Sequence, residues 1–196
     1  MNLLLNYSKV AERTVRGGFA ESRKNIIRQP DDDAETVGLF VIWMLQGELR
    51  VMEVCREGLS VALFMGGTQE PYETYVKACL LLCKLYILVD KLMSQYSEHM
   101  EAEILAELAR VVYQSEVYHG DRTAIVPSTV LQVYRNTMEG SALRRFVLDT
   151  FCSKFARMYE KFPGLDEYAE CMEEYPKDFG VEAIKRIITG FRYNEY

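Results

Sequence analysis

The chain has 196 residues, a formal net charge of −6 from 23 Lys+Arg and 29 Asp+Glu, and an apolar share of 49%. This length suits one well-buried domain rather than two ordinary ones. The acidic balance argues against nucleic-acid binding, which needs a dense basic surface, and the apolar share argues against disorder. Composition therefore indicates an acidic globular protein and leaves the function to local motifs.

The first third of the chain predicts one short helix, one strand and one longer helix. The short helix ends at a glycine pair, and a β-branched run at 25–28, stopped by Pro30, is the best strand candidate. Asp31-Asp32-Asp33 then precedes a helix predicted over 34–46. An aspartate at that position accepts amide hydrogens of the first turn. Gly47 is placed to end the helix.

The middle of the chain contains one ambiguous segment and two helices. Residues 48–71 fit either two short strands around Gly58 or a helix and a loop. The helix predicted over 72–93 has apolar residues on two faces, so we expect protein to surround it on most sides. A further helix is predicted over 97–114, followed by a polar loop over 118–123.

The last third predicts three more helices. Pro127 opens the first of them, and Glu139-Gly140 closes it. Ser141 caps the second, and Pro176 starts the third. The inward side of this last helix is predicted to consist of Phe179, Ile184, Ile187, Ile188 and Phe191. The sequence therefore predicts a mainly α fold, a helical bundle with at most a few short strands.

Targeting signals and cysteine usage indicate the compartment. No apolar run reaches the roughly 20 residues that cross a bilayer, and the first residues do not form a secretory leader. The five cysteines are an odd number without a compact framework, which fits a reducing compartment. We therefore expect a cytoplasmic or nuclear protein that does not bind membranes.

Candidate catalytic and metal-binding residues are few. The two histidines, His99 and His119, are both interpreted as surface residues. Cys79 and Cys83 lie four residues apart on one helical face, which is half of a zinc site, but free cysteines more commonly pack in cores. The pair Arg144-Arg145 fits a solvated helix face. No catalytic residue, cofactor site or metal site is predicted.

Four segments, in order along the chain, carry a resemblance to a known family. They are GGFAES (17–22) with PDD (30–32), LFVIWMLQG (39–47), YILVDKL (86–92) and NTMEGSALRR (136–145). Together they resemble the motifs of the fungal BTB/POZ proteins and their helical extension, with Val89 in place of alanine and Met138 in place of proline. The residues that carry the match are Gly18, Phe19, Pro30, Leu39, Phe40, Trp43, Gly47, Asp90, Lys91, Gly140, Ser141, Arg144 and Arg145.

The resemblance implies a fold and a function. It implies a truncated BTB/POZ-like domain at 1–114 and a C-terminal helical extension at 115–196 packed on it as one compact unit. Family members begin with two strands ahead of the first matched helix, and only seven residues precede Ser8, so we expect this strand pair to be lacking. The implied function is a non-enzymatic protein–protein interaction module, an adaptor or self-associating scaffold, without cofactor.

The implied partner is a protein, either a second copy of the chain or a cullin scaffold of ubiquitin ligases. Two other functions stay open. One is a metal- or thiol-dependent protein that uses Cys79 and Cys83. The other is a functionless truncated paralogue of the family.

Overall fold

A computed structural model describes residues 33–49, 51–56, 71–92, 97–120, 122–161 and 172–193. Within these ranges 84% of the residues are helical and none forms a strand, so the predicted mainly α class is confirmed. The predicted first helix, the strand candidate at 25–28 and the apolar run at 59–65 lie outside the described residues.

The described residues form seven helices, numbered in chain order. They are α1 (Ala34–Gln46), α2 (Val51–Arg56), α3 (Tyr72–Leu92), α4 (Ser97–His119), α5 (Pro127–Asn136), α6 (Ala142–Lys161) and α7 (Lys177–Tyr193). The chain divides into two compact units, Met1–Ala124 and Ile125–Tyr196. The first unit contains α1 to α4, and the second contains α5 to α7. The family-based domain limits at 114 and 115 stay a prediction.

Helix α3 is the centre of the first unit. It packs against α1, α2 and α4, and its apolar residues occupy most of its circumference. Cys79, Leu82 and Leu85 have no exposed surface at all. As predicted from its two apolar faces, protein surrounds α3 on most sides, so its burial supplies much of the hydrophobic stabilisation of this unit.

Helix α1 begins and ends where the sequence predicts. The Asp33 carboxylate accepts hydrogen bonds from the Thr36 backbone N–H at 2.8 Å and from the Thr36 hydroxyl at 3.0 Å. At the other end Gly47 has a φ of 71°, and its N–H donates to the Trp43 carbonyl at 2.7 Å. Glycine adopts this left-handed conformation without the steric penalty of a Cβ atom.

The structure describes part of the ambiguous segment and the end of α4. Residues 51–56 form a helix, α2, rather than a strand. Helix α4 continues five residues beyond 114, so Tyr118 and His119 are helical and not part of the predicted loop. No helix breaker occurs before Gly120, which has a φ of 66° and follows the last helical residue.

Helix α5 ends earlier than predicted. Asn136 is its last residue, because Thr137 adopts an extended conformation. The Thr137 N–H still donates to the Val133 carbonyl, at 3.0 Å, as the last hydrogen bond of the helix. Glu139 and Gly140 therefore do not close α5, and they belong to the turn that leads into α6.

The core of the second unit is aromatic. Phe179 of α7 is fully buried. Its ring lies edge-on to those of Tyr134 and Phe151, at centroid distances of 5.4 and 5.0 Å, and it stacks on Tyr175 at 5.0 Å. Because Tyr134 belongs to α5 and Phe151 to α6, this one side chain contacts both other helices of the unit.

Helix α7 buries Phe179 as predicted, but two of the other residues predicted to face the core are exposed. Phe179 and Ala183, one turn apart, are buried, but Ile184 and Ile188 are about half exposed. The aromatic cluster draws the side with Phe179 inward, and the small Ala183 lets α7 approach closely. The inward assignment of Ile184 and Ile188 was therefore wrong, and the side chain of Phe191 lies outside the described residues.

Candidate functional site

The Cys79 and Cys83 thiols lie inside the core of the first unit, and the Cys55 thiol of α2 is also buried. Burial raises the pKa of Cys83 to about 12 and that of Cys55 to about 11. Burial and the neighbouring thiols raise the pKa of Cys79 well above its ordinary value. Since the thiolate is the nucleophile and the metal ligand, protonated buried thiols of this kind suit packing rather than chemistry.

Metal-ligating groups do not converge in the part of the chain that the structure describes. No three His, Cys, Asp or Glu side chains there are arranged to hold a metal ion. The half-site formed by Cys79 and Cys83 therefore gains no further ligands among these residues, and the described geometry gives the metal-dependent alternative no support.

Glu103 of α4 contacts the single tryptophan and one of the two histidines. One carboxylate oxygen accepts the Trp43 indole N–H at 2.6 Å, and the other lies 3.2 Å from Nε2 of His99. A buried indole N–H needs an acceptor, because it loses its hydrogen bond to water on folding. This contact ties α1 to α4, while His99 is exposed as predicted.

His119 is half-buried and not the surface residue that was predicted. Its ring lies edge-on to the rings of Tyr72 and Tyr75, at centroid distances of 5.8 and 5.5 Å. The Tyr72 hydroxyl donates to the Thr123 carbonyl at 2.7 Å, and the Arg122 guanidinium lies 4.9 Å above the Tyr72 ring. These groups fasten the end of α4 to the start of α3.

Arg144 closes the C-terminal end of α5, and we call its contacts the Arg144 clasp. Its Nε donates to Thr137 Oγ1 at 3.1 Å, and its Nη2 donates to the carbonyls of Tyr134 at 2.6 Å and Thr137 at 2.5 Å. The guanidinium also lies 4.5 Å from the centre of the Tyr134 ring. The last carbonyls of a helix lack partners within it, and a cation there is favoured by the helix dipole.

The clasp corrects the interpretation of Arg144-Arg145 as a solvated pair. Arg145 is exposed, as expected of a solvated face, but Arg144 is half-buried. The turn before it is set by Gly140, with a φ of 78°, and by Ser141, whose Oγ accepts the Arg144 backbone N–H at 3.2 Å. The side chain of Arg144 thus closes one helix while its backbone begins the next.

Two further polar contacts hold helices together within the units. In the first unit, Lys84 Nζ lies 2.7 Å from Asp33 Oδ2. Burial raises the pKa of Asp33, but the hydrogen bonds from Lys84 and Thr36 outweigh it, and the net pKa is lowered. In the second unit, the Tyr134 hydroxyl donates to Glu182 at 2.7 Å, and burial together with this bond raises the Tyr134 pKa. Both contacts have a structural role.

The other described residues of the family resemblance lie in the core or at helix ends. Leu39, Phe40 and Trp43 are buried on one side of α1. Asp90 and Lys91 are exposed near the end of α3. The members that lie outside the described residues are Gly18, Phe19 and Pro30.

Helix α4 carries an exposed apolar face that the sequence patterns did not single out. Its residues recur at intervals of three or four and are all exposed. We call this set the α4 face: Ala102, Ala106, Ala109, Tyr113 and Val117. Tyr113 and Val117 expose 68% and 58% of their surface. The signal in the sequence that could have identified this face is the recurrence of its apolar residues at intervals of three and four.

Helix α7 carries a second exposed apolar face. We call it the α7 face: Val181, Ile184 and Ile188, each at least half exposed. The sequence predicts Ile184 and Ile188 to belong to the core and does not single out Val181, because α7 is apolar on two sides. Contiguous exposed apolar residues mark protein contacts more often than scattered ones do. The two faces are therefore candidate functional surfaces among the described residues.

Comparison of the chain with models of protein families, with curated proteins and with solved structures finds no match. The BTB/POZ resemblance thus stays a prediction. Among the described residues, no helix is both long and apolar enough to span a membrane.

Proposed function

We propose that the chain is a protein–protein interaction module without catalytic activity, an adaptor that works in the cytoplasm or nucleus. The observation that carries the proposal is the α4 face, an apolar surface that runs along a 23-residue helix and faces solvent. A folded protein gains by removing such a surface from water, and a partner protein is the usual means. The motif resemblance to BTB/POZ proteins supports the same function independently.

Tyr113 is the residue most suited to anchor a partner on this face. Tyrosine is enriched at interfaces because it buries a large ring and keeps a hydroxyl for hydrogen bonding. Val117 lies one turn further along, and the three alanines offer a shallow surface into which side chains of a partner can pack. Burial of a side chain the size of valine contributes about 1.5–3 kcal/mol, so Tyr113 and Val117 together are enough to decide binding.

The resemblance supplies the partner to test first, a cullin scaffold. The experiment measures binding of the full chain to the purified N-terminal region of a cullin, and in parallel captures proteins from source cells with the chain after chemical cross-linking. The variant Tyr113→Asp is compared with Met138→Asp, a matched control that places the same charge on an exposed apolar residue elsewhere. Helical circular dichroism establishes that both variants fold.

We expect the α4-face variant to lose a stoichiometric partner that the wild type and the Met138→Asp control both retain. Equal recovery by all three proteins would show that the α4 face is not the binding surface. Failure of the wild type to recover any stoichiometric protein, with no cullin binding, would contradict the adaptor function and favour a functionless paralogue.

A thiol- or metal-dependent function has no specific observation in its favour, because the Cys79 and Cys83 thiols are buried and protonated. We expect purified protein to contain no stoichiometric zinc and both cysteines to resist a maleimide until the chain is unfolded. Rapid native labelling of either cysteine, located by mass spectrometry, would return this alternative to first place.

A further inference from the structure

The α7 face has the spacing of a helix-pairing seam. Val181, Ile184 and Ile188 recur at intervals of three and four residues, and Lys177 extends the same line by one turn at its start. This is the repeat with which two helices interlock side chains along a shared seam. The buried residues of α7, Phe179 and Ala183, lie on the opposite side of the helix from this face. Helix α7 therefore has one apolar side for its own core and one that faces solvent.

Two opposite charges flank the α7 face on the same side. Asp178 and Lys185 are seven residues apart, two helical turns, so both line one edge of the face. Both side chains are exposed, and neither forms an ion pair with any of the described residues. One edge of the seam thus carries a carboxylate near its start and an ammonium group near its middle.

We propose that two copies of the chain associate through their α7 faces, with the helices antiparallel. A two-fold axis perpendicular to the helices brings each edge of the face against the same edge of the second copy. With Val181 packed against Ile184 of the second copy, Lys185 lies about 3 Å along the axis from the level of Asp178 of the second copy. A lysine side chain spans that offset, and the symmetry repeats both the apolar contact and the ion pair.

The charges also select the orientation. In a parallel pair each edge of the seam meets the opposite edge of the second copy, so Lys185 would face Gly180, which carries no charge. The antiparallel arrangement satisfies both charges, whereas the parallel one satisfies neither. The α7 face is therefore complementary to itself in one orientation.

The contact is small, so the dimer is expected to be weak. Stable interfaces bury roughly 1,600 Å² in total, and a seam of three aliphatic residues on each helix buries much less. We expect a dimer that forms at high concentration and dissociates on dilution. This inference rests on the proposed interaction role and names a second copy as one partner; it uses none of the α4 face.

Sedimentation of the full chain over a wide range of concentrations tests the proposal, with four variants. Ile184→Asp is expected to abolish association. Lys185→Asp, which sets two carboxylates against each other, is expected to raise the dissociation constant about tenfold. The double variant Asp178→Lys/Lys185→Asp exchanges the charges and is expected to restore association to within about threefold of the wild type. Met138→Asp, at an exposed apolar residue outside both faces, serves as the control and is expected to change nothing.

Recovery in the double variant is the deciding result, because a residue with a merely structural role would not be rescued by a second charge reversal. Association that survives Ile184→Asp, or is lost in Met138→Asp, would overturn the proposal, and so would a wild-type chain that stays monomeric at every concentration. A monomeric chain that still captures a partner through Tyr113 and Val117 would overturn only the self-association. A dimer that captures no other protein would overturn only the adaptor function.

Discussion

The two units hold their helices together by different means. In the first unit, aliphatic side chains surround α3, and polar contacts such as Lys84–Asp33 and Trp43–Glu103 lie around its edge. In the second unit, one phenylalanine contacts both other helices, and the Arg144 clasp lies next to this aromatic core. Stability is therefore spread over many side chains in the first unit and concentrated in a few in the second.

The largest expected effect comes from Phe179, on which the second unit depends. Replacement by alanine removes a ring that contacts Tyr134, Phe151 and Tyr175, and we expect a loss of about 4 kcal/mol in the free energy of unfolding. Val181→Ala, an exposed position of the same helix, is the control and should cost less than about 0.5 kcal/mol.

Urea unfolding followed by two probes assigns this loss to a unit. Trp43 is the only tryptophan of the chain, so its fluorescence reports on the first unit, while helical circular dichroism reports on both. We expect Phe179→Ala to shift part of the dichroism transition and to leave the fluorescence transition in place. Equal shifts of both probes would contradict separate units and would support the predicted single compact unit.

Leu82 tests the first unit in the same way. It has no exposed surface on α3. Leu82→Ala should lower the free energy of unfolding by about 3 kcal/mol. We expect a smaller loss than for Phe179→Ala, because many other aliphatic side chains around α3 stay buried. The fluorescence transition of Trp43 should move to lower urea. Leu45→Ala, at a position 67% exposed on α1, is the control, and a comparable loss there would show that burial does not explain the effect.

The Arg144 clasp is expected to contribute less than either core residue. Arg144→Ala should destabilise the second unit by about 2 kcal/mol, since hydrogen bonds from a charged donor are among the stronger ones. Arg144→Lys should recover part of this loss, because it restores the charge but not the planar fork. The adjacent Arg145→Ala provides the control. Equal effects at the two arginines, measured by urea unfolding, would rule out the clasp as the cause.

The smallest expected effect is at Asp33 and depends on pH. Its pKa is lowered from an ordinary value of 3.8, so the stabilisation by its charge is present above that value and is lost as the pH falls through the folded-state pKa. Asparagine keeps the helix cap and removes the charge. Asp33→Asn should therefore cost less than about 1 kcal/mol near neutral pH, because the pair is partly exposed and screened.

Thermal unfolding of the wild type and Asp33→Asn across the acid range checks this sign. The difference between the two proteins should be constant near neutral pH and should shrink below pH 3.8, the ordinary pKa. A difference that grows on acidification would mean that the Asp33 charge destabilises the fold. Added salt should reduce the difference at neutral pH.

Helix caps and apolar periodicity were enough to predict α1 and α3 from the sequence. Helix α1 followed from the apolar period between Asp33 and Gly47, a cap and a left-handed end, all within the same fifteen residues. Helix α3 followed from its two apolar faces. These signals needed no knowledge of distant parts of the chain, and for that reason they were sufficient.

Sequence patterns failed where the answer depends on how one helix packs against another. His119 was placed in a loop because a glycine follows it, but rings from α3 enclose it. Arg144 looked like a solvent-facing residue, since helical periodicity does not show that the chain turns back and brings the end of α5 beside it. Ile184 and Ile188 were assigned to the core because α7 is apolar on two sides and the period alone does not choose between them.

The clasp also bears on the order in which contacts form. Arg144 and Tyr134 are 10 residues apart in the chain, whereas Trp43 and Glu103 are 60 residues apart. Closing the longer loop costs more chain entropy, and contacts of short sequence separation form faster. We therefore expect α5 and α6 to meet early in the folding of their unit. Loss of Arg144 should slow refolding, while loss of the Trp43–Glu103 bond should mainly accelerate unfolding.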